Sequence, residues 1–296
     1  MKYTKSASLS SSTPSGFPKH RVNWHEAAVC AVQIELRDYT DLLDFQPEFI
    51  LGQNSYRIDL LVIKKLCQYP IPKNIAHIFE TYNLFEIKGL SSSLTASSYY
   101  KIIGYAGLLI NQLNITRTAQ YSAMDISISF LTFHYPRKLI QHLECERNLV
   151  VAKTSPGIYY ISKETFKAQI IVRGELPPEE NLYLYCLTNH LQNPTLINRL
   201  SDDYARHKDL DIYTKYLNQL TTANLKTKGA SSMVCEGLFN LFGTTSEEVI
   251  ARAKKESKQE LDAYYLPQID YLKSLLTNNN ISFDLNSITK EPDISS

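Results

Sequence analysis

Apolar and polar residues follow two different patterns along this chain, and the change between them divides it. From residue 24 to residue 172, short apolar strand patterns are mixed with helical spacing; from Pro178 onward only helical spacing remains. The first part therefore predicts an α/β domain with a mixed central sheet flanked by helices. Its predicted helices are 24–43, 99–113 and 136–146, and its predicted strands are 45–51, 57–64, 83–88, 126–133, 149–153, 157–161 and 168–172.

The second part predicts a helical C-terminal region. Helical spacing covers 179–191, 195–204, 210–220, 232–242 and 245–276. The Ser-rich start of the chain has no apolar core and predicts a disordered tail. The expected organisation is thus a tail at 1–20, an α/β domain at 21–178, the helical region at 179–278 and a flexible tail at 279–296.

Bulk properties restrict the class of protein. The chain has 296 residues and a net charge of +1, so it lacks the overall basic charge of many nucleic-acid binders. Its five cysteines form no C-x-x-C pair, which argues against a zinc site and favours a reducing, cytoplasmic setting. The longest apolar run, 102–110, is too short to span a bilayer, so no membrane association is expected.

Charged residues interrupt two strand patterns that are otherwise mostly apolar. Asp59 lies within the apolar strand 57–64, and Glu86 and Lys88 lie within the strand 83–88. Buried strands exclude such residues unless they are paired or hold a metal. Because side chains alternate along a strand, Glu86 and Lys88 share one face.

These three residues predict a metal site if the two strands are neighbours. Asp59 then meets Glu86 across the ladder, and a divalent cation removes the repulsion between the two carboxylates. Mg²⁺ prefers one or two carboxylates together with water and phosphate oxygens, and Mn²⁺ is the alternative cation. Lys88 would orient or deprotonate the attacking water or neutralise charge on a phosphate.

The first helix offers a third carboxylate, from Glu26 or Glu35. The two residues are nine positions apart and therefore lie on opposite faces. Glu35 shares the apolar face that points at the sheet, whereas Glu26 lies on a more solvated face beside His25. We therefore expect Glu35 to join the site, and we expect His25 and Glu26 to form a surface pair.

The order of these residues resembles the core of the PD-(D/E)xK nuclease superfamily. Four strings, at 24–27, 57–65, 86–88 and 100–106, also resemble uncharacterised bacterial proteins near the Rpn-type, transposase-like branch. The resemblance covers roughly residues 22–180. It implies a restriction-endonuclease-like fold and hydrolysis of phosphodiester bonds, with DNA as the first-choice substrate.

Carried over by position, the resemblance gives each residue a role. It implies that Asp59 and Glu86 bind the metal, that Lys88 is the catalytic lysine and that Glu35 is the helix acid. There are two departures. Ile58 stands where the superfamily name has a proline, and the Glu- and Gly-rich C-terminal helix expected of the Rpn-type branch is not evident.

Three further residues are candidates for substrate binding. Lys101 could reach a phosphate, or it could extend its stem over apolar surface while Tyr105 packs in the core. Arg57 shares a strand face with Asp59, so an ion pair with Asp59 and a phosphate contact are equally expected.

The sequence is also compatible with two other functions. The first is a catalytically silent nuclease-fold module that binds nucleic acid or a partner protein. The second is a structural α/β protein in which Asp59 and Lys88 form a salt bridge. The helical region would contribute substrate binding, homodimerisation or partner contact.

Overall fold

A computed structural model describes residues 22–52, 56–65, 69–116 and 119–225. The predicted tails 1–20 and 279–296, and the helices predicted at 232–242 and 245–276, lie outside the described residues. The helices are α1 (Trp24–Glu35), α2 (Ala96–Thr116), α3 (Arg137–Cys145), α4 (Leu182–Cys186), α5 (Pro194–His207) and α6 (Asp211–Leu225). The strands are β1 (Leu43–Leu51), β2 (Tyr56–Lys64), β3 (Tyr82–Ile87), β4 (Ile126–Thr132), β5 (Val150–Ser155), β6 (Ile158–Ser162) and β7 (Lys167–Val172).

The strands form one seven-stranded mixed sheet in the order β1-β2-β3-β4-β7-β6-β5. β1, β2 and β3 are antiparallel neighbours, whereas β4 runs parallel to both β3 and β7. The connection from β3 to β4 contains α2, as a parallel pair requires. The predicted α/β class, with a mixed sheet flanked by helices, is confirmed.

Helices cover the sheet on both faces, and each face has its own apolar core. α1, α4, α5 and α6 contribute to one core, together with strand residues such as Phe85 and Ile87. α2 and α3 contribute to the other core, together with Leu84 and Phe130. β3 is buried along its whole length because both of its faces are covered.

The β1–β2 hairpin changes face near its middle. Leu60 packs in the core on the α1 side, but Ile58, two residues earlier, packs in the core on the α2 side. Regular alternation would place both on one face. The change occurs where Asp59 lies opposite Glu48, and Glu48 has a φ of +52°, in the left-handed region that non-glycine residues seldom occupy.

The helices after residue 178 are attached to α1 by buried charge. The Glu35 carboxylate accepts hydrogen bonds from the backbone N–H groups of Tyr183 at 2.7 Å and Leu184 at 3.3 Å, at the start of α4. Its other oxygen lies 2.7 Å from Lys73 Nζ. Asp203 in α5 is a second link, because it pairs with Arg37 and accepts a hydrogen bond from the Tyr183 hydroxyl.

The predicted elements differ most from the structure in two places. The helix predicted at 24–43 ends at Glu35 and is followed by a short 3₁₀ turn, Arg37–Tyr39. The helix predicted at 179–191 is only the five residues of α4. In both places the apolar spacing reflects packing on the α1-side core, which irregular backbone also achieves.

We expect Glu35→Ala to lower the free energy of unfolding by about 3 kcal/mol, because it takes the carboxylate partner from the partly buried Lys73 ammonium and leaves the buried N–H groups of Tyr183 and Leu184 without an acceptor. Chemical denaturation measures the change. The control is Glu144→Ala at an exposed position of α3, which should change stability by less than about 0.5 kcal/mol. Equal effects of the two substitutions would contradict the proposed attachment.

Candidate active site

The candidate site lies where β2 and β3 separate. Their pairing extends to Leu60 opposite Phe85, so Asp59 and Glu86 occupy the next step of the register. The backbone N–H of Ile87 donates to Asp59 Oδ2 at 2.6 Å and thus takes a side-chain acceptor in place of a carbonyl of β2. β3 meanwhile stays beside β4, since the Lys88 N–H donates to the Leu131 carbonyl at 2.9 Å.

Glu86 is the most buried charged group of the site, with a side chain only 1% exposed. Its Oε1 lies 2.7 Å from Lys88 Nζ, and its Oε2 lies 2.7 Å from Lys101 Nζ in α2. Lys88 therefore lies on the same face as Glu86, while the side chains of Phe85 and Ile87 enter the opposite core. One carboxylate and two ammonium groups are thus held together at the end of β3.

Two residues that the sequence did not assign to the site lie next to Asp59. His25, in the first turn of α1, has Nε2 3.3 Å from Asp59 Oδ1 and Nδ1 3.3 Å from Glu48 Oε1. Glu48 belongs to β1 and lies opposite Asp59 in the hairpin. Glu48, Asp59 and Glu86 therefore occupy matching register positions on three adjacent strands.

The expected surface pair of His25 with Glu26 is not what the structure shows. Glu26 instead lies near Asn23 and Gln219. The sequence does place His25 at the start of α1, but residue spacing does not predict which residues of other elements contact that end of the helix. No sequence pattern identified Glu48 as a site residue, because its position opposite Asp59 depends on the register of the hairpin.

These neighbours shift the pKa values of the site. Burial alone would raise the pKa of Asp59, but the hydrogen bonds from His25 and from the Ile87 N–H hold it below its ordinary value. The hydrogen bond with Asp59 raises the pKa of His25 against the effect of burial. Burial would lower the pKa of Lys101, yet its contact with Glu86 raises it.

Glu35 does not belong to this site, and its prediction as the helix acid is corrected. Glu35 ends α1, ten residues after His25, which is about 15 Å along the helix axis. The position of Glu35 around the helix predicted that its side chain faces the sheet. Its position along the helix axis, however, places it next to Lys73 and α4 and not next to Asp59. The residue of α1 that reaches Asp59 is His25.

The candidate substrate-binding residues lie around the notch that forms where β2 and β3 separate. Arg57 is exposed and pairs with Glu48, with Nη1 3.0 Å from Oε2, so its ion pair is not with Asp59. Lys101 contacts Glu86, and its Nζ lies 5.7 Å from the centre of the Tyr105 ring. The salt bridge considered between Asp59 and Lys88 is not seen either, since Lys88 contacts Glu86.

The donor set favours a hard cation bound by few protein ligands. Across the described ranges, no three His, Cys, Asp or Glu side chains are grouped to hold a metal ion. Asp59 and Glu86 nevertheless supply two carboxylates, which suffice for Mg²⁺ when water and phosphate oxygens complete its shell. Both Glu86 oxygens are buried, and neither forms a hydrogen bond of regular geometry with the described residues. Each of these oxygens lies 2.7 Å from a lysine ammonium, so a metal ion bound by Glu86 would displace the ammonium of Lys88 or Lys101.

Comparisons of the chain with protein-family models, with curated proteins and with solved structures give no match. In the part of the chain that is described, no helix is long and apolar enough to cross a membrane.

The linked shifts of Asp59 and His25 predict a pH-dependent stability in metal-free buffer. Asp59, whose pKa is lowered, stabilises the fold above its unfolded pKa of about 3.9, and this contribution disappears as pH falls through its folded pKa. His25, whose pKa is raised, contributes below its unfolded pKa of about 6.5, and this contribution disappears as pH rises through its folded pKa. The pair is therefore strongest between these limits.

We expect His25→Gln to cost about 1 kcal/mol near pH 5.5 and clearly less near pH 9, as measured by chemical denaturation in EDTA. In an Asp59→Asn background the same substitution should have a small effect at both pH values. A cost that does not change with pH, or that persists in that background, would show that His25 acts through other contacts.

Proposed function

We propose that this chain is a metal-dependent nuclease of the PD-(D/E)xK type, with DNA as the first-choice substrate. The observation that carries the proposal is the geometry at the end of β3. Asp59 and Glu86 occupy facing positions where two strands separate, and Lys88 lies on the same face as Glu86, 2.7 Å from it. This combines the spacing of the Glu86-Ile87-Lys88 string with the end of the β2–β3 pairing at the same place.

The order of the elements supports the same proposal. α1 is followed by the antiparallel strands β1, β2 and β3, then by α2 and by β4 parallel to β3. This is the arrangement that a restriction-endonuclease-like core implies. The three strands β7, β6 and β5 extend the sheet beyond β4.

Under this proposal, Asp59 and Glu86 would hold Mg²⁺ or Mn²⁺. The cation would lower the pKa of a bound water and stabilise charge on the phosphate. The Lys88 ammonium would orient the attacking water or neutralise developing charge, and Lys101 would bind a phosphate oxygen near Glu86. Arg57, exposed at the rim, would contact the phosphate backbone.

A catalytically silent module is the second candidate, and a specific observation favours it. Glu48 pairs with Arg57, Glu86 pairs with both Lys88 and Lys101, and Asp59 pairs with His25. Such a cluster is balanced without any metal and could serve as a structural ion-pair network.

The proposed activity predicts metal-dependent cleavage of DNA that depends on two residues. With Mg²⁺ or Mn²⁺, the intact chain should cleave plasmid or linear DNA, and Lys88→Ala and Asp59→Asn should each lower the rate by about 10²–10⁴-fold. The readout is fluorescence of labelled DNA and, in parallel, of RNA of the same sequence.

Lys153→Ala is the matched control, because Lys153, like Lys88, lies 2.7 Å from a glutamate, in its case Glu175. It should leave cleavage unchanged. Glu35→Gln, once shown to be folded by circular dichroism, should also keep its activity, since its carboxylate lies away from the notch. Absence of cleavage in the intact chain, or cleavage that Lys88→Ala leaves intact, would refute the enzymatic proposal.

Metal binding separates the nuclease from the silent module. If Asp59 and Glu86 hold the cation, saturating Mn²⁺ should raise the melting temperature of the intact chain by about 3 °C or more. Asp59→Asn should abolish this rise, whereas Glu144→Ala should keep it. An intact chain with an unchanged melting temperature in Mn²⁺ would favour the metal-free ion-pair network.

A further inference from the structure

An exposed aromatic pair lies beside the candidate site. Tyr56 begins β2, three residues before Asp59, and is 46% exposed. Its ring centre lies 5.6 Å from that of Tyr105 in α2, with an angle of 44° between the ring planes. Apolar contacts of this kind usually bury both rings, whereas here much of Tyr56 remains open to solvent.

Lys101 connects this pair directly to the site. Its Nζ lies 2.7 Å from Glu86 Oε2 and also 5.7 Å from the centre of the Tyr105 ring. Glu86, Lys101, Tyr105 and Tyr56 thus form a continuous series of contacts. A cation followed by two aromatic rings is the composition that binds a phosphate together with the base next to it.

The surface beyond Tyr56 has room for a flat ligand. A groove of about 440 Å³ extends from Tyr56 between the β1–β2 hairpin and α2. Leu108 and Ile115 make its walls apolar, and both are exposed. Asn111 adds an amide to the lining, which can donate to and accept from the edge of a base.

We propose that Tyr56 and Tyr105 form a stacking platform for an unpaired base next to the scissile phosphate, so that the substrate is single-stranded DNA or a single-stranded segment within a duplex. This proposal rests on the nuclease function proposed above. In a duplex both faces of each base are already stacked on neighbouring bases, and an exposed ring at this position could not reach them. An unpaired base has a free face, and stacking on tyrosine tolerates any sequence.

The test measures binding of a labelled oligothymidylate and of a blunt duplex by fluorescence anisotropy, in a Lys88→Ala background with Mg²⁺. Tyr56→Ala should weaken binding of the single strand by about 5- to 100-fold and binding of the duplex by less than about twofold. Tyr56→Phe should restore binding of the single strand, because it keeps the ring. Tyr56→Trp should bind with quenching of its indole fluorescence.

Tyr135→Ala is the matched control. Tyr135 is also exposed and packs on a tyrosine, Tyr159, that has a lysine, Lys153, over its ring, but these residues are not in contact with Glu86. This substitution should leave both affinities unchanged. Equal losses for single strand and duplex in Tyr56→Ala, losses matched by Tyr135→Ala, or Tyr56→Trp without quenching would overturn the platform.

The two proposals fail in distinguishable ways. Tyr56-dependent binding of the single strand without any metal-dependent cleavage would keep the platform and refute the nuclease. Cleavage that requires Asp59 and Lys88 but is insensitive to Tyr56→Ala would keep the nuclease and refute the platform. If light scattering shows that Tyr56→Ala dissociates a dimer while affinity for the single strand stays the same, the aromatic surface is an interface between copies and the platform is refuted.

Discussion

The burial of the Glu86 carboxylate is the constraint on which the candidate site depends. A carboxylate with a 1% exposed side chain loses nearly all of its hydration, and the cost of this loss is several kcal/mol unless cations replace the water. Lys88 reaches it from the end of the same strand and Lys101 from α2, which crosses over the sheet between β3 and β4. The placement of α2 on the sheet therefore also supplies one of the two positive charges that balance Glu86.

The second determinant is the separation of β2 from β3. If the two strands had continued in register, the Ile87 N–H would have met a backbone carbonyl and the ladder would have closed the site. Asp59 accepts that N–H with its side chain, so the strands part without leaving a buried donor unpaired. The neighbouring hairpin changes face at the same step, with Glu48 at positive φ, and thereby carries Tyr56 to the α2 side. Strained backbone of this kind is concentrated at functional sites in many proteins.

The two ends of α1 have separate roles. Neither matches the expectation from helical phase, which placed Glu35 at the site and paired His25 with Glu26 at the surface. Its start brings His25 to Asp59, and its end brings Glu35 to α4. A twelve-residue helix is long enough for its ends to lie in different environments, one at the rim of the sheet and one in the core that holds the C-terminal helices. Rotation about the axis predicts which face a residue occupies, but translation along the axis decides which partner it meets.

The α/β class, the approximate limits of most strands, and the grouping of Asp59, Glu86 and Lys88 as charged residues in apolar strands could all be predicted from residue order alone. These follow from periodicity and from the cost of burying charge, both of which are local. Three findings came from the folded chain instead: Glu35 lies away from the site, His25 and Glu48 adjoin Asp59, and Lys101 and Tyr105 link Glu86 to Tyr56. These contacts depend on hairpin register, on the point where two strands separate and on the placement of helices over the sheet. Each of these is set by long-range packing between segments far apart in the chain, which residue spacing within one segment does not encode.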